Sequence, residues 1–391
     1  MPDVVIVGGG VNGASTAFHL ARAGVRSVTL LERRQLGAGA SGKSGAVVRM
    51  HYTNPQESRL AYESLMVFQN WSDAVGGDCG FEPCGFVEMV APEQEPQLRK
   101  NVADQRAIGI RTSIISAQEL KELVPELNVD GLTVAAYEPD SGFADPNATL
   151  FGFIAAAQRL GVEVRTGVDV TRVLTSGGRA TGVETPQGRL EADAVVLVPG
   201  VWAKPLLQPL GLDFGLHPHR VQVAVFRWPM GFTRRHPAMI DTMQHFWLRP
   251  EGAAGTLIGL ESGVEGTDID RLDEGVDEAY VLQCREKLAS RLPDFANATM
   301  RGGWAGLITL TPDERPIIDQ IPSVPGLFCM LGDSGTSFKT SPAIGRVLAE
   351  WITQGKPQLM DMTPFRCTRF AEGKPWHDDT SYGWRHLTVS R

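Results

Sequence analysis

Near the N-terminus a short apolar run, Val4-Val5-Ile6-Val7, ends in three glycines and continues into Val11-Asn12-Gly13. Gly8, Gly10 and Gly13 therefore form a G-x-G-x-x-G pattern. Between a strand and a helix each glycine has a steric task. The first allows a tight turn, the second lets backbone approach a pyrophosphate, and the third lets helix and strand pack closely. The helix that follows offers free N–H groups and the positive end of its dipole to phosphate. Here Val11 to Ala23 reads as that helix, with Gly24 as its stop. Val28 to Leu31 reads as a second buried strand, closed by Glu32. A carboxylate at that strand end takes ribose hydroxyls and repels a 2′-phosphate. The combination points to a doubly wound α/β domain that binds a dinucleotide. The pattern alone does not separate NAD from FAD.

At 391 residues the chain has material for two or three domains. Its 37 basic and 45 acidic side chains leave a formal charge of −8, so nucleic acid is not an expected partner. No apolar run reaches the ~18 residues of a transmembrane helix. Met1-Pro2-Asp3 leads straight into the first strand without a basic region, which argues against a secretory signal. Cys79, Cys84, Cys284, Cys329 and Cys367 are odd in number and irregular in spacing. They read as reduced thiols, and a cytoplasmic location is expected. There is no H-E-x-x-H, no cluster with metal-ligand spacing and no G-x-S-x-G, so neither a metal nor a serine nucleophile is expected.

Along the chain, helices are expected at Glu57 to Trp71, Glu93 to Ile108 and Asn147 to Leu160, and a capping box at Ser116 to Glu119. Glu163 to Val173 reads as one strand, Ser176-Gly177-Gly178 as a hairpin turn, and Ala194 to Val198 as another buried strand. Leu216 to Trp228, Ala238 to Asp241, Phe246 to Arg249 and Thr256 to Leu260 suggest an antiparallel sheet. Parallel α/β character at both ends, with mixed material between, predicts a discontinuous first domain. The expected fold class is α/β: a Rossmann-like FAD-binding domain over 1–84, 142–215 and 300–370, plus an α+β substrate domain with a mostly antiparallel sheet over 85–141 and 216–299. A C-terminal tail, 371–391, follows.

The distal sequence favours FAD. The small-residue stretch Gly37 to Gly45 follows the ribose carboxylate and suits a loop along an extended ligand. A second loop, Gly332 to Lys339 (GDSGTSFK), precedes Ser341 and Pro342, which read as N-cap and first residue of a helix. Together with GGGVNG and LLER, these segments resemble the D-amino-acid oxidase-like flavoproteins. The branch that holds sarcosine oxidase, sarcosine/dimethylglycine dehydrogenase and the L-proline dehydrogenase β-subunit is nearest. The resemblance also rests on ASGKSGAVVR (Ala40 to Arg49), VVLVPGVW (Val195 to Trp202), FWLRPEG (Phe246 to Gly252) and GWAGLITLTPDERP (Gly303 to Pro316).

That resemblance implies a two-domain FAD enzyme that oxidises an amine next to a carboxylate. Arg49 and Lys339 match the two cations that bind the substrate carboxylate. The expected cofactor contacts are Gly8, Gly10, Val11, Asn12, Gly13, Glu32, Arg33, Ser41, Ser44, Gly45, Val170, Gly200, Gly306, Gly332, Gly335, Thr336, Ser337 and Lys339. His51, His245, Phe246, Leu257 and Ile308 are candidates for the substrate pocket. Gly306 stands where several relatives carry the cysteine that attaches FAD, so the FAD is expected to be noncovalent. No basic residue occurs along Gly255 to Leu260, where oxidase relatives place a lysine, and slow reaction with oxygen is expected. The expected reaction is dehydrogenation of a secondary or tertiary α-amino acid, sarcosine-, dimethylglycine- or proline-like, to an imine, with hydride transfer to FAD N5. The alternatives are a D-amino-acid or glycine oxidase of the same fold, a flavin-binding subunit of a larger complex without its own amine, and an NAD-dependent dehydrogenase. A partner subunit or separate electron acceptor is possible, and the sequence fixes no oligomeric state.

Overall fold

A computed structural model describes residues 3–378 and 380–382. Six strands form the first sheet, in the order Ile317–Gln320, Leu327–Leu331, Ala194–Leu197, Val4–Val7, Val28–Glu32 and Glu163–Thr166. All neighbours are parallel except Ile317–Gln320, which runs antiparallel at one edge. The apolar run Val4–Val7 is buried throughout because both faces are covered. Val4 and Ile6 pack under the helices Val11–Arg22, Pro146–Arg159 and Ser337–Gln354, while Val5 and Val7 pack into a second core on the other face. Each such side chain contributes roughly 1.5–3 kcal/mol on full burial. The chain leaves Val4–Val7 toward Val28–Glu32 on one side and pairs with Ala194–Leu197 on the other. A crevice therefore opens at the C-terminal strand ends, where the order reverses.

The second sheet has nine strands. Eight run in the order Val264–Glu265, His217–Arg227, Gly255–Leu260, Phe246–Glu251, Ala238–Asp241, Phe86–Met89, Val134–Glu138 and Ser113–Ser116. The ninth, Met300–Leu310, pairs with the opposite edge of His217–Arg227 over its whole length. Sheet membership thus crosses the expected boundary at residue 300, since Met300–Leu310 hydrogen-bonds to the second sheet and not the first. Pairing is antiparallel except between Ala238–Asp241 and Phe86–Met89. One face packs on the helix Glu278–Arg291 through Phe246, Leu248, Ile258 and Leu260. The other face carries Phe86, Ile240, Trp247 and Leu257.

Two local expectations change. The segment read as one strand from Glu163 to Val173 turns at Gly167 into two, Glu163–Thr166 and Arg172–Ser176, and the second belongs to a separate three-stranded sheet. The helix expected from Pro342 starts five residues earlier, at Ser337, with Thr336 as N-cap and Pro342 inside it. Proline cannot donate to the Phe338 carbonyl, four residues back. The Ser341 hydroxyl donates to that carbonyl instead, at 2.8 Å. The hairpin at Gly177-Gly178 and the capping box at Ser116 form as expected. All five cysteines are free. Among the described residues no helix is long and apolar enough to cross a membrane. Of the C-terminal tail, the described part packs across both domains: the Tyr382 hydroxyl lies 2.7 Å from His51 Nε2 and accepts from Asn101 Nδ2 at 3.0 Å.

Candidate cofactor cavity and the buried cation pair

The crevice at the strand ends is part of a cavity of about 510 Å³. Its first wall is the glycine turn. Gly8 has a φ of +118°, and a Cβ there would overlap the Val198 carbonyl. A Cβ on Gly13 would in turn overlap the Gly8 carbonyl. Only glycine lets the turn, the strand end and the helix start share this space. Glu32 holds the turn from the next strand: its carboxylate accepts from the Gly9 N–H at 2.7 Å and the Arg34 N–H at 2.8 Å. Each oxygen keeps lone-pair capacity for a ribose hydroxyl. Ser41 Oγ accepts from the Val11 N–H at 3.0 Å, tying the small-residue loop to the helix start.

A second helix N-terminus reaches the same space because the C-terminal helix begins at Ser337. Asn12 Nδ2 donates to Ser337 Oγ at 3.1 Å, so the two helix starts touch. Asn12 Oδ1 is buried with no hydrogen-bond partner among the described residues. An orphaned acceptor of this kind calls for a donor on a ligand. Beyond it the cavity runs past Gly306, Ile308 and Met330 to Gly332, Gly335 and Phe338. Two helix N-termini, a glycine cradle, a ribose-facing carboxylate and a long apolar extension fit FAD.

Of the expected cofactor contacts, Gly8, Gly10, Val11, Asn12, Glu32, Arg33, Ser41, Ser44, Gly45, Val170, Gly200, Gly306, Gly332, Gly335 and Ser337 line this cavity. Gly13, Thr336 and Lys339 do not. Gly13 acts through packing, and Thr336 occupies the N-cap position, its hydroxyl donating to the Asp333 carbonyl at 3.2 Å. Of the substrate-pocket candidates only Ile308 lines it. Phe246 points into the core on the far side of the sheet, and its neighbour Trp247 lines the cavity instead. A strand alternates faces, so an error of one residue exchanges the two. Leu257 packs in the layer with Trp247 and is fully buried. His51 is buried against Tyr382, and burial together with Arg49 pulls it down to about 3. His245 stands at a turn with φ +62°, its Nδ1 3.6 Å from the Glu261 carboxylate.

Several lining residues were not among the individual site expectations. Trp247 is wedged where a Cβ on Gly45 or Gly259 would overlap its indole. Lys43 donates to the Ala38 carbonyl at 2.7 Å and pairs with Glu274 at 2.9 Å, beside Gly306. Asp270 pairs with Arg33 at 3.2 Å and accepts from Trp202 Nε1 at 3.1 Å. Asp270 and Glu274 belong to the segment 266–277, which crosses the cavity as a strap. Its sequence is acidic and turn-rich, and nothing in its spacing indicates a ligand.

Arg49 and Lys339 come from opposite ends of the chain and meet at Tyr52. The Arg49 guanidinium lies 4.6 Å over the Tyr52 ring and 5.6 Å from the Phe86 ring. Lys339 Nζ donates to the Tyr52 hydroxyl at 3.1 Å. Both cations are buried, at 1% and 5% exposure, one residue or a few beyond the lining residues Gly45 and Phe338. Acidic groups lie near Arg49. Burial raises Glu138 to about 7 and Glu88 well above the ordinary range, with Arg49 opposing both shifts. Neither Glu88 nor Glu261 has a hydrogen-bond partner for its carboxylate oxygens among the described residues.

Comparison with known proteins agrees with this geometry. The family described as "DAO: FAD dependent oxidoreductase" matches residues 3–351. Mitochondrial dimethylglycine dehydrogenase of Rattus norvegicus is 25% identical over 417 residues, covering 98% of this chain and 47% of that protein. The β subunit of sarcosine oxidase from Rhodobacter capsulatus is 25% identical, covering 98% of this chain and 92% of that one. The crystal structure of L-proline dehydrogenase from P. horikoshii superposes with a TM-score of 0.88 at 25% identity, over 95% of this chain and 98% of that one. The chain spans about half the length of the first curated relatives it matches. From the match over residues 3–351, the chain belongs to the FAD-dependent oxidoreductase family.

Proposed function

We propose that this protein oxidises a secondary or tertiary α-amino acid, sarcosine-, dimethylglycine- or proline-like, to the imine. The observation that carries the reading is the convergence of Arg49 and Lys339 on Tyr52, next to the cavity that fits FAD. FAD, when bound, supplies the electron sink and the hydride acceptor. Gly8 to Asn12, Glu32 and Ser41 hold its dinucleotide part, and Gly306, Gly332, Gly335 and Ser337 line its other end.

The chain's own work is binding and orientation. Arg49 offers a planar fork to a carboxylate, and Lys339 offers a point charge. Clamping the carboxylate fixes the α-carbon, which is the main requirement for a directed C–H transfer. The same two cations disfavour a protonated amine by like-charge repulsion, leaving the nitrogen lone pair available. Trp247 supplies an apolar wall on the sheet side of the cavity.

The FAD is held without a covalent bond in this reading. No cysteine, histidine or tyrosine, the side chains able to bond a flavin, lines the cavity among the described residues. That the relative of nearly matching length is named as a subunit makes a second chain worth testing by size-exclusion chromatography.

The deciding experiment is an anaerobic screen of sarcosine, dimethylglycine, L-proline, pipecolate, glycine and D-amino acids, following flavin absorbance. Bleaching by an N-alkylated or cyclic amino acid supports the reading. Bleaching by glycine or D-amino acids alone would transfer the protein to the oxidase alternative. No bleaching by any of them would favour a cofactor-binding subunit.

A further inference from the structure

We propose that His217, His219 and Glu265 form a binding site for one divalent metal ion of the zinc class, and that this ion fastens the strap 266–277 over the cofactor cavity. The three residues each bring one ligand atom, and these atoms lie within 4.8 Å of one another. Backbone pairing produces the arrangement. His217 and His219 are two apart on one strand, so their side chains leave from the same face. Glu265 stands directly opposite His219 in the antiparallel register with Val264–Glu265. Cross-strand partners share a face, so all three converge.

The orientation of His217 suits a ligand. Its Nδ1 lies 3.2 Å from the Gly215 carbonyl, and donation there leaves Nε2 with its lone pair for a metal. Neither that Nε2 nor the Glu265 carboxylate has a hydrogen-bond partner among the described residues. Arg220, directly after His219 in sequence, points to the opposite face. It is occupied there by Asp277 at 2.8 Å and the Gly275 carbonyl at 2.7 Å. No cation therefore competes for the Glu265 carboxylate from the neighbouring strand position. Two imidazole nitrogens and one carboxylate oxygen select zinc, cobalt, nickel or copper over calcium or magnesium. The exposed side of Glu265 leaves room for water as a further ligand.

The site's location gives it a role. Val221 and Ile308, on the same face as His219, line the cavity, so the cluster borders the cofactor's wall without being part of it. The strand Val264–Glu265 is only two residues long and pairs at two positions. The strap begins directly after it, and Ile269, Asp270, Leu272 and Glu274 line the cavity. Its remaining side-chain ties to the first domain, Asp270 with Arg33 and Trp202 and Glu274 with Lys43, involve carboxylates that are 55% and 60% exposed. Exposed pairs hold weakly. A metal bridging the two strands would anchor the strap at its start, slowing cofactor escape. The inference concerns the cofactor's retention and does not depend on which amine is oxidised.

The test uses the FAD-loaded full chain after treatment with EDTA. Zinc is titrated against a chromophoric chelator, and cobalt is followed by its visible absorption. FAD release after dilution is followed by fluorescence. One saturable equivalent is expected. It should weaken at least tenfold in His217→Ala and in Glu265→Gln, both outside the packed core. Zinc should slow FAD release at least threefold in the parent protein and in neither variant. Absence of a saturable equivalent, or equal affinity in both variants, would overturn the site. Binding that leaves FAD release unchanged would overturn the fastening.

Discussion

Lys339 donates to the hydroxyl of Tyr52 while Arg49 lies against that residue's ring, so one aromatic side chain organises two buried cations. If the pair clamps a carboxylate, removing either cation removes a charge-assisted contact worth about 1.5–3 kcal/mol. Arg49→Ala and Lys339→Ala should each weaken apparent substrate affinity by roughly 10- to 200-fold at ~1.4 kcal/mol per decade, with FAD content retained. Tyr52→Phe keeps the ring and should cost less than either. Spectral titration under anaerobic conditions measures all three. Unchanged affinity in both alanine variants would falsify the clamp.

Among the described residues no cysteine, histidine or tyrosine lines the cavity. Precipitating the holoprotein with acid should therefore release all of its yellow colour into the supernatant. Colour that stays in the washed pellet would refute noncovalent binding.

Gly45 faces the indole of Trp247 with no space for a Cβ. Gly45→Ala must displace a large, buried side chain, and overpacking of this sort costs about 1–3 kcal/mol. The expected result is a lower melting temperature together with partial loss of FAD. Equal FAD content in Gly45→Ala and the parent would show that Trp247 does not shape the cofactor wall.

The strap's acidic ties are exposed, so their loss should matter locally and little globally. Asp270→Ala and Glu274→Ala should each change overall stability by no more than about 1 kcal/mol. Both should speed FAD release in a dilution assay, the double variant most. A double variant that releases FAD at the parent rate would mean the strap does not gate the cavity.

Glu138 is buried, accepting from the Met50 N–H at 3.0 Å and from Ser141 Oγ at 2.6 Å. Burial raises its carboxyl from 4.5 to about 7. Below pH 4.5 both folded and unfolded chains hold this proton, and its stabilising contribution is complete. As pH rises toward 7 the unfolded chain loses the proton first, so stability falls, by roughly 3 kcal/mol at ~1.36 kcal/mol per pKa unit. His51, held down to about 3, works in the opposite sense: its contribution is present above 6.5 and is lost as pH falls toward 3. The difference between the parent and Glu138→Gln isolates the first term. Denaturant melts from pH 4.5 to 7.5 should show a shallower decline in the variant. Parallel declines would mean that Glu138 titrates normally.

The dinucleotide turn was legible because its requirements are local. Gly8, Gly13 and the apolar run before them are fixed by steric contacts within one strand–turn–helix unit, and Glu32 lies one strand away. Fold class follows from the same patterning: a run buried on both faces needs a covering layer on each side, and alternating strands need one. Arg49 and Lys339 were recognised through family resemblance. That both would reach Tyr52 was not legible, since nothing in either segment encodes the other's position.

What the sequence alone determined is thus the set of residues whose roles depend on their immediate neighbours: the glycine turn, the ribose carboxylate, the hairpin at Gly177-Gly178 and the capping box at Ser116. Tertiary structure decided which face of a strand looks inward and which distant segments share a wall. It turned Phe246 away and Trp247 in, started the last helix at Ser337, and brought the strap's Asp270 and Glu274 to Arg33 and Lys43. It also set Glu265 beside His217 and His219, although their separation in sequence carries no metal motif. The physical reason is common to all of these. Strand register and long-range packing are chosen by the summed burial of many side chains, so a short stretch of sequence cannot specify them by itself.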